Sequence, residues 1–121
     1  MRNKILLEEK MMLFSPELAK IIGLEESIIL QYIHKCLLEN EEKGVNYIED
    51  RYWIAKSIKS WHKEVFYFWS ESIVKRLFLS LQRKGLLIGC KFTKEDFDHT
   101  KWYTIDYDEL DSVIHAARNK K

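Results

Sequence analysis

Two segments near the start of the chain carry apolar residues at helical spacing. The motif Ser15-Pro16-Glu17 is a strong helix start, because it combines a capping hydroxyl, a preset φ angle and an acidic first turn. Gly23 is placed to end this first helix. A second helix is predicted over residues 25–42, ending in a charged stretch. Its apolar positions are Ile28, Ile29, Tyr32, Ile33, Cys36 and Leu37.

The most regular pattern in the chain predicts a helix over residues 71–84. Ser70 stands at the capping position, and apolar residues recur along one face of the helix. That face consists of Ile73, Val74, Leu77, Phe78 and Leu81. Gly85 follows the last turn, where Arg83 and Lys84 complement the helix dipole. This pattern predicts an amphipathic helix with a basic outer side.

The hydrophobic pattern of residues 45–54, ahead of this helix, is less regular. Its β-branched and aromatic residues favour extended backbone, with a short strand around residues 51–54. Residues 55–65 are predicted as a short helix with Ile58 and Trp61 on its inner face. The aromatic run 66–69 is then the turn that leads into Ser70.

Two strand-like runs follow Gly85, over residues 86–91 and 102–107. The charged segment 92–101 between them has a suitable length for a β-hairpin wing, and residues 106–118 predict a final helix. This order of elements is that of a winged helix-turn-helix. We therefore expect a mainly α fold with a small β-hairpin (α+β), in one domain over residues 1–121 with its core at about 13–110. Residues 1–12 and 108–121 would flank that core.

Composition supports a folded domain and excludes several classes. The 121 residues are 46% hydrophobic and 32% charged, with one proline and four glycines. No run approaches the ~18 apolar residues of a membrane span, and acidic residues follow too early for a secretory signal peptide. Cys36 and Cys90 form no metal or disulfide motif, so we expect a cytoplasmic protein without metal or other cofactor.

Charge is distributed unevenly, although the net charge is only +1. Residues 1–50 hold six Lys/Arg against ten Asp/Glu, whereas residues 51–101 hold eleven against five. A basic excess confined to one segment is typical of a nucleic-acid-binding surface. It is also compatible with a solvated lysine-rich face.

The predicted fold assigns DNA contacts to two elements. A major groove, about 12 Å wide, admits one helix, whose outward residues meet bases and phosphates. The predicted DNA-binding residues of this recognition helix are Ser70, Ser72, Lys75, Arg76, Ser80 and Arg83. In the wing, the predicted phosphate contacts are Lys91, Lys94, His99 and Lys101.

Other features favour protein binding instead. The wing contains the acidic residues Glu95, Asp96 and Asp98, which would repel phosphate. Leu79 on the outer helical face suits either a thymine methyl group or a protein partner. Winged helices also serve as protein-interaction modules, so a partner-binding or antagonist factor remains the alternative.

Several runs resemble one family. They are Phe-Trp-Ser-Glu-Ser-Ile-Val-Lys-Arg at 68–76, Leu-Gln-Arg-Lys-Gly-Leu-Leu-Ile at 81–88 and Lys-Trp-Tyr-Thr-Ile-Asp-Tyr at 101–107. Together with 18–24 and 29–34, they resemble the N-terminal winged-helix domain of phage replisome-organiser proteins, which are DnaD-like replication initiators. The resemblance spans about residues 13–110.

The resemblance implies DNA binding at an origin or replication fork, and self-association, without catalysis. It assigns residues 70–84 to the recognition helix and DNA contacts to Ser72, Lys75, Arg76 and Ser80. Family members usually continue into a helical domain that recruits helicase-loading proteins, which this 121-residue chain does not reach. The chain is then expected to be either an excised domain or a small free-standing relative, and a free-standing form would suit a regulatory or antagonist role. A transcriptional regulator would carry the same DNA-binding residues.

The remaining features point to structure more than to chemistry. Trp53, Trp61 and Trp69 recur every eight residues and suit core anchors better than a base-stacking platform. The aromatic run 66–68 is also expected in the core, with Tyr67 the most exposed of the three. No catalytic motif and no metal-ligand spacing is present, so we expect a non-enzyme.

The apolar N-terminal segment needs a partner surface. Residues 1–14 contain Ile5, Leu6, Leu7, Met11, Met12, Leu13 and Phe14. They are expected either to pack on the final helix or to form a homodimer interface, where methionine is adaptable.

Overall fold

The computed structural model describes residues 11–92 and 100–120 and has a mixed α and β architecture. Within these residues the helices are α1 (Pro16–Ile22), α2 (Leu24–Lys43), α3 (Ile58–Glu64), α4 (Glu71–Arg83) and α5 (Tyr107–Asn119). The strands are β1 (Tyr47–Ile48), β2 (Arg51–Tyr52), β3 (Ile54–Lys56), β4 (Leu87–Cys90) and β5 (Lys101–Ile105). The expected combination of helices with a small amount of β structure is confirmed.

The helix boundaries follow the local capping signals. The hydroxyl of Ser15 accepts from the Leu18 amide, and that of Ser70 accepts from the Ile73 amide, both at 3.2 Å. Gly85 adopts a φ of +76°, a left-handed conformation that favours glycine after a helix. Each of these positions confirms a boundary predicted from sequence.

Three strands form an antiparallel sheet in the order β3-β5-β4. Ile54 lies opposite Tyr103 on one side of β5, and Leu87 lies opposite Ile105 on the other. The predicted pairing of the two strands after Gly85 is confirmed. Residues 93–99 between them lie outside the described residues, so the proposed wing contacts Lys94 and His99 lie outside them as well.

The start of the short helix before α4 was predicted wrongly. Residues 55 and 56 belong to β3, and the helix begins after Ser57, whose hydroxyl accepts from the Ser60 amide at 3.1 Å. The cause is non-local, because Ala55 and Lys56 pair with Trp102 and Lys101 of β5. Pairing with a distant strand outweighs their helical propensity.

A two-stranded hairpin of β1 and β2 was not predicted as such. Its turn residues Glu49 and Asp50 both have positive φ angles, +52° and +64°, as a two-residue hairpin turn of this hand requires. The side chain of Asn40 donates to the Trp53 carbonyl at 2.7 Å, and the Trp53 indole donates to the Ile48 carbonyl at 2.9 Å. These bonds hold the hairpin against α2.

The core lies between the sheet and helices α2, α3 and α4. Trp61, Phe66 and Phe78 are fully buried there, and Trp53 is buried beside the hairpin, as predicted. Phe68 was predicted to be in the core, but it is 53% exposed. Phe66 fills the aromatic site against Trp61, whereas the ring of Phe68 lies against Trp69 at 4.7 Å near the surface.

The last helix lies beside α1 at the edge of the domain. Arg118 of α5 donates two hydrogen bonds to the carboxylate of Glu17 in α1, at 2.7 and 2.9 Å. Leu110 and Val113 contact the core without being fully buried. Residues 1–10 lie outside the described residues, and Met11 and Leu13 are exposed. No helix in the described residues is both long enough and apolar enough to cross a membrane.

Candidate nucleic-acid interface

The side of α4 opposite the core forms an exposed and mainly basic face. Val74, Leu77, Phe78 and Leu81 are buried, which turns the other side of this helix to solvent. The exposed residues are Glu71, Ser72, Lys75, Arg76, Leu79 and Arg83. The structure therefore places most of the predicted recognition-helix residues together on one accessible surface.

A cleft runs alongside this face, between α4, the start of α3 and the near ends of β4 and β5. Its volume is about 540 Å³. Four lysines line it: Lys59 of α3, Lys75 of α4, Lys101 of β5, and Lys91, which directly follows β4. Glu71 is the acidic residue among the lining residues, and Ile58 and Leu79 supply apolar wall. We call this the basic cleft.

The cations of this surface have no ion-pair partner in the part of the chain that the structure describes. The ion pairs found there join Lys56 to Glu64, Lys84 to Glu26 and Arg118 to Glu17. None of them involves the basic cleft. Charges without internal partners remain available to neutralise an external anion.

Ser80 does not belong to this exposed face, although it was predicted to contact DNA. Its hydroxyl donates to the Glu26 carboxylate of α2 at 3.0 Å, and Lys84 donates to the same carboxylate at 3.3 Å. Burial opposes ionisation of Glu26, but these two donors and a backbone hydrogen bond together lower its pKa. Ser80 thus joins α4 to α2.

We expect Ser80→Ala to weaken folding without weakening DNA binding. Loss of its bond to Glu26 should lower the free energy of unfolding by about 1 kcal/mol at neutral pH, measured by urea denaturation. Because ionised Glu26 accepts this bond and its folded pKa is lowered, the difference should shrink as the pH falls through that pKa. A loss of DNA affinity at unchanged stability would contradict this assignment and would indicate that Ser80 contacts DNA.

Of the other predicted site residues, one has a structural role and two line the basic cleft. Ser70 is exposed, but its hydroxyl serves as the cap of α4. Lys91 and Lys101 do line the basic cleft, on its strand side.

Sequence reasoning missed Lys59. The helix was predicted to start at residue 55, whereas it begins after the Ser57 cap, which places Lys59 in its first turn. The sequence signal for this placement was Ser57 as a helix cap, which puts the lysine two residues later in the first turn. Ser57 can be recognised as the cap only when β3 is known to end at Lys56.

No group of three or more His, Cys, Asp or Glu residues in the described residues is arranged to hold a metal ion. His34 lies elsewhere, with its Nδ1 atom 2.7 Å from the Tyr107 hydroxyl. The acidic residues Glu95, Asp96 and Asp98 fall outside the described residues.

Comparison with known proteins finds no matching family model, no matching curated protein and no matching solved structure. The assignment of this surface therefore depends on its charge and shape.

Proposed function

We propose that this chain is a winged helix-turn-helix domain that binds double-stranded DNA without catalysing a reaction. The observation that carries the proposal is the basic cleft, where lysines from α3, α4, β5 and the residue after β4 converge without internal ion-pair partners in the described residues. The succession of α3, a turn, α4 and the β4–β5 pair, with β3 completing the sheet, supports the fold assignment.

In this proposal α4 enters the major groove. Ser72 and Arg76 lie one turn apart on its exposed face, where a serine hydroxyl and a guanidinium can reach base edges. One DNA strand would follow the basic cleft, with Lys59 on the helical wall and Lys91 and Lys101 on the strand wall as phosphate contacts. Phosphate contacts of this kind fix the position of a domain on duplex DNA, and base contacts provide sequence preference.

The resemblance to DnaD-like replisome organisers suggests the biological setting. We propose that the domain acts in replication initiation of a phage or mobile element, with other replication proteins as partners. The same geometry would serve a transcriptional regulator. Self-association, which the resemblance also implies, stays a prediction.

One observation favours a protein partner as the second candidate. Leu79 is 37% exposed at the centre of the outer face of α4, and it lines the basic cleft beside Ile58. An apolar side chain at that position suits a protein surface as well as a thymine methyl group. In that case the lysines would receive an acidic protein segment.

A heteronuclear NMR titration of the chain with a mixed-sequence duplex tests the proposal. Amide signals of Ser72, Arg76, Lys91 and Lys101 should shift at low salt, whereas those of Leu38 and Asp50 on the far side should not. Shifts confined to residues outside α3, α4, β4 and β5 would contradict the assignment. No shifts at low salt would contradict DNA binding itself and favour the protein-partner candidate.

A further inference from the structure

A second cleft opens at the opposite end of β5 from the basic cleft. It lies between the C-terminal half of α2, the β1–β2 hairpin and the start of α5, and has a volume of about 400 Å³. Its apolar and aromatic lining consists of Leu37, Leu38, Tyr52, Ile105 and Tyr107. Leu38 is 48% exposed and Tyr107 is 40% exposed, so part of this lining faces solvent.

The charge around this second cleft is negative. Glu41, Asp50, Asp106 and Asp108 line it, against the single cation Arg51. None of these four carboxylates forms an ion pair within residues 11–92 and 100–120. Asp106 already accepts from the Glu109 amide as the cap of α5, which leaves the other three carboxylates available. Such a surface repels DNA phosphate and attracts a cation.

One polar group lies inside the cleft at the end of β5. Thr104 lines the cleft and is only 3% exposed, so a bound segment that reaches its side chain would meet a hydroxyl group, which can donate or accept a hydrogen bond. Nearby, the Tyr107 hydroxyl is hydrogen-bonded to His34. Burial, and to a smaller extent the negative charge of Glu41, raise the pKa of Tyr107 to about 12. The phenol therefore stays neutral.

The two clefts are separate surfaces. No residue lines both, and the neighbours Tyr103 and Thr104 of β5 line different clefts because successive side chains of a strand point to opposite faces of the sheet. A protein bound at the second cleft would therefore leave the basic cleft accessible.

We propose that the second cleft docks an arginine-bearing segment of a partner protein. Arginine fits each part of the lining: its guanidinium stacks on the faces of aromatic rings and donates to carboxylates in a planar fork. Its remaining N–H groups can donate to the Thr104 hydroxyl, and its aliphatic stem can cover Leu38. A lysine would satisfy the charge but lacks the planar fork.

The test uses a short acetylated and amidated peptide that carries two arginines between leucines, titrated into the whole chain and followed by NMR. Amide signals of Leu38, Thr104 and Tyr107 should shift with a millimolar or tighter dissociation constant. The same peptide with citrulline, a neutral analogue of arginine, should bind about threefold to tenfold more weakly. The double variant Asp50→Asn with Asp108→Asn should show a similar loss.

A matched control carries the same change of charge outside the cleft, as Glu25→Gln with Asp111→Asn, and should bind the peptide normally. Thr104→Val keeps the shape of the side chain and should weaken binding through the lost hydroxyl alone.

Three results would overturn the proposal. They are the absence of shifts in the second cleft, equal binding of the citrulline peptide, and shifts that are strongest in the basic cleft. If the same amides instead shift on dilution of the chain without peptide, the occupant is a second copy of the chain. Because the readout involves no DNA, failure of this proposal is distinguishable from failure of the DNA-binding proposal.

Discussion

Replacing Lys75 and Arg76 by glutamate is expected to reduce the affinity for duplex DNA by at least about a hundredfold. Each of these side chains is exposed on α4, and Lys75 also lines the basic cleft. Loss of one base or phosphate contact typically weakens binding by about 1–3 kcal/mol, and a factor of ten corresponds to about 1.4 kcal/mol. The introduced carboxylates add repulsion from phosphate.

The matched control reverses two exposed lysines elsewhere, as Lys35→Glu with Lys120→Glu. This variant has the same net charge as the first but leaves α4 and the basic cleft unchanged. Fluorescence anisotropy with a labelled duplex at one salt concentration compares the two variants. Equal losses would mean that net charge alone governs binding, and the assignment of α4 as the recognition helix would be wrong.

The second large effect concerns the fold. Trp61→Ala should lower the free energy of unfolding by about 3–5 kcal/mol, a large part of the stability of a domain of this size. Trp61 is fully buried, and its ring lies within 6.3 Å of those of Tyr32, Phe66 and Phe78. In the described residues its indole N–H has no hydrogen-bond partner, so its contribution is one of packing.

Two further variants separate packing from other effects. Trp61→Phe retains an aromatic ring at the site and should lose much less stability than Trp61→Ala. Tyr67→Ala removes a ring that is 62% exposed and should stay within about 0.5 kcal/mol of the parent. Urea denaturation followed by circular dichroism measures all three. A small effect of Trp61→Ala would contradict the core described above.

The parts of the fold that sequence predicted are those with local causes. Ser15, Ser70 and Gly85 mark helix ends through contacts within a few residues of themselves, and each boundary was predicted correctly. The strand β3 depends on pairing with β5 almost fifty residues later, so its pattern alone suggested a helix. The β1–β2 turn uses Glu49 and Asp50 in place of the usual glycine signal.

In the candidate site, too, the residues predicted correctly are those whose position depends on local sequence. Lys75 and Arg76 could be assigned to an outer face because the helical period of α4 determines which side is apolar. The same helical period places Ser80 at the edge of the outer face. Its hydrogen-bond partner Glu26 lies 54 residues away, so the local pattern could not reveal this bond. Lys59 joins the basic cleft only through the tertiary arrangement of α3 beside α4. Convergence of distant side chains is a property of the fold and has no local pattern.

A salt series tests the central claim, DNA binding through the basic cleft and α4, most directly. Binding of the parent chain to a mixed-sequence duplex is measured by fluorescence anisotropy at increasing salt, beside the Lys75→Glu/Arg76→Glu variant. If Lys59, Lys75, Arg76, Lys91 and Lys101 each neutralise one phosphate, the logarithm of the affinity should fall linearly with the logarithm of salt concentration, with a slope of about −4.5. The variant should have a slope shallower by about two. Absence of binding at low salt, or equal slopes for both proteins, would contradict the claim.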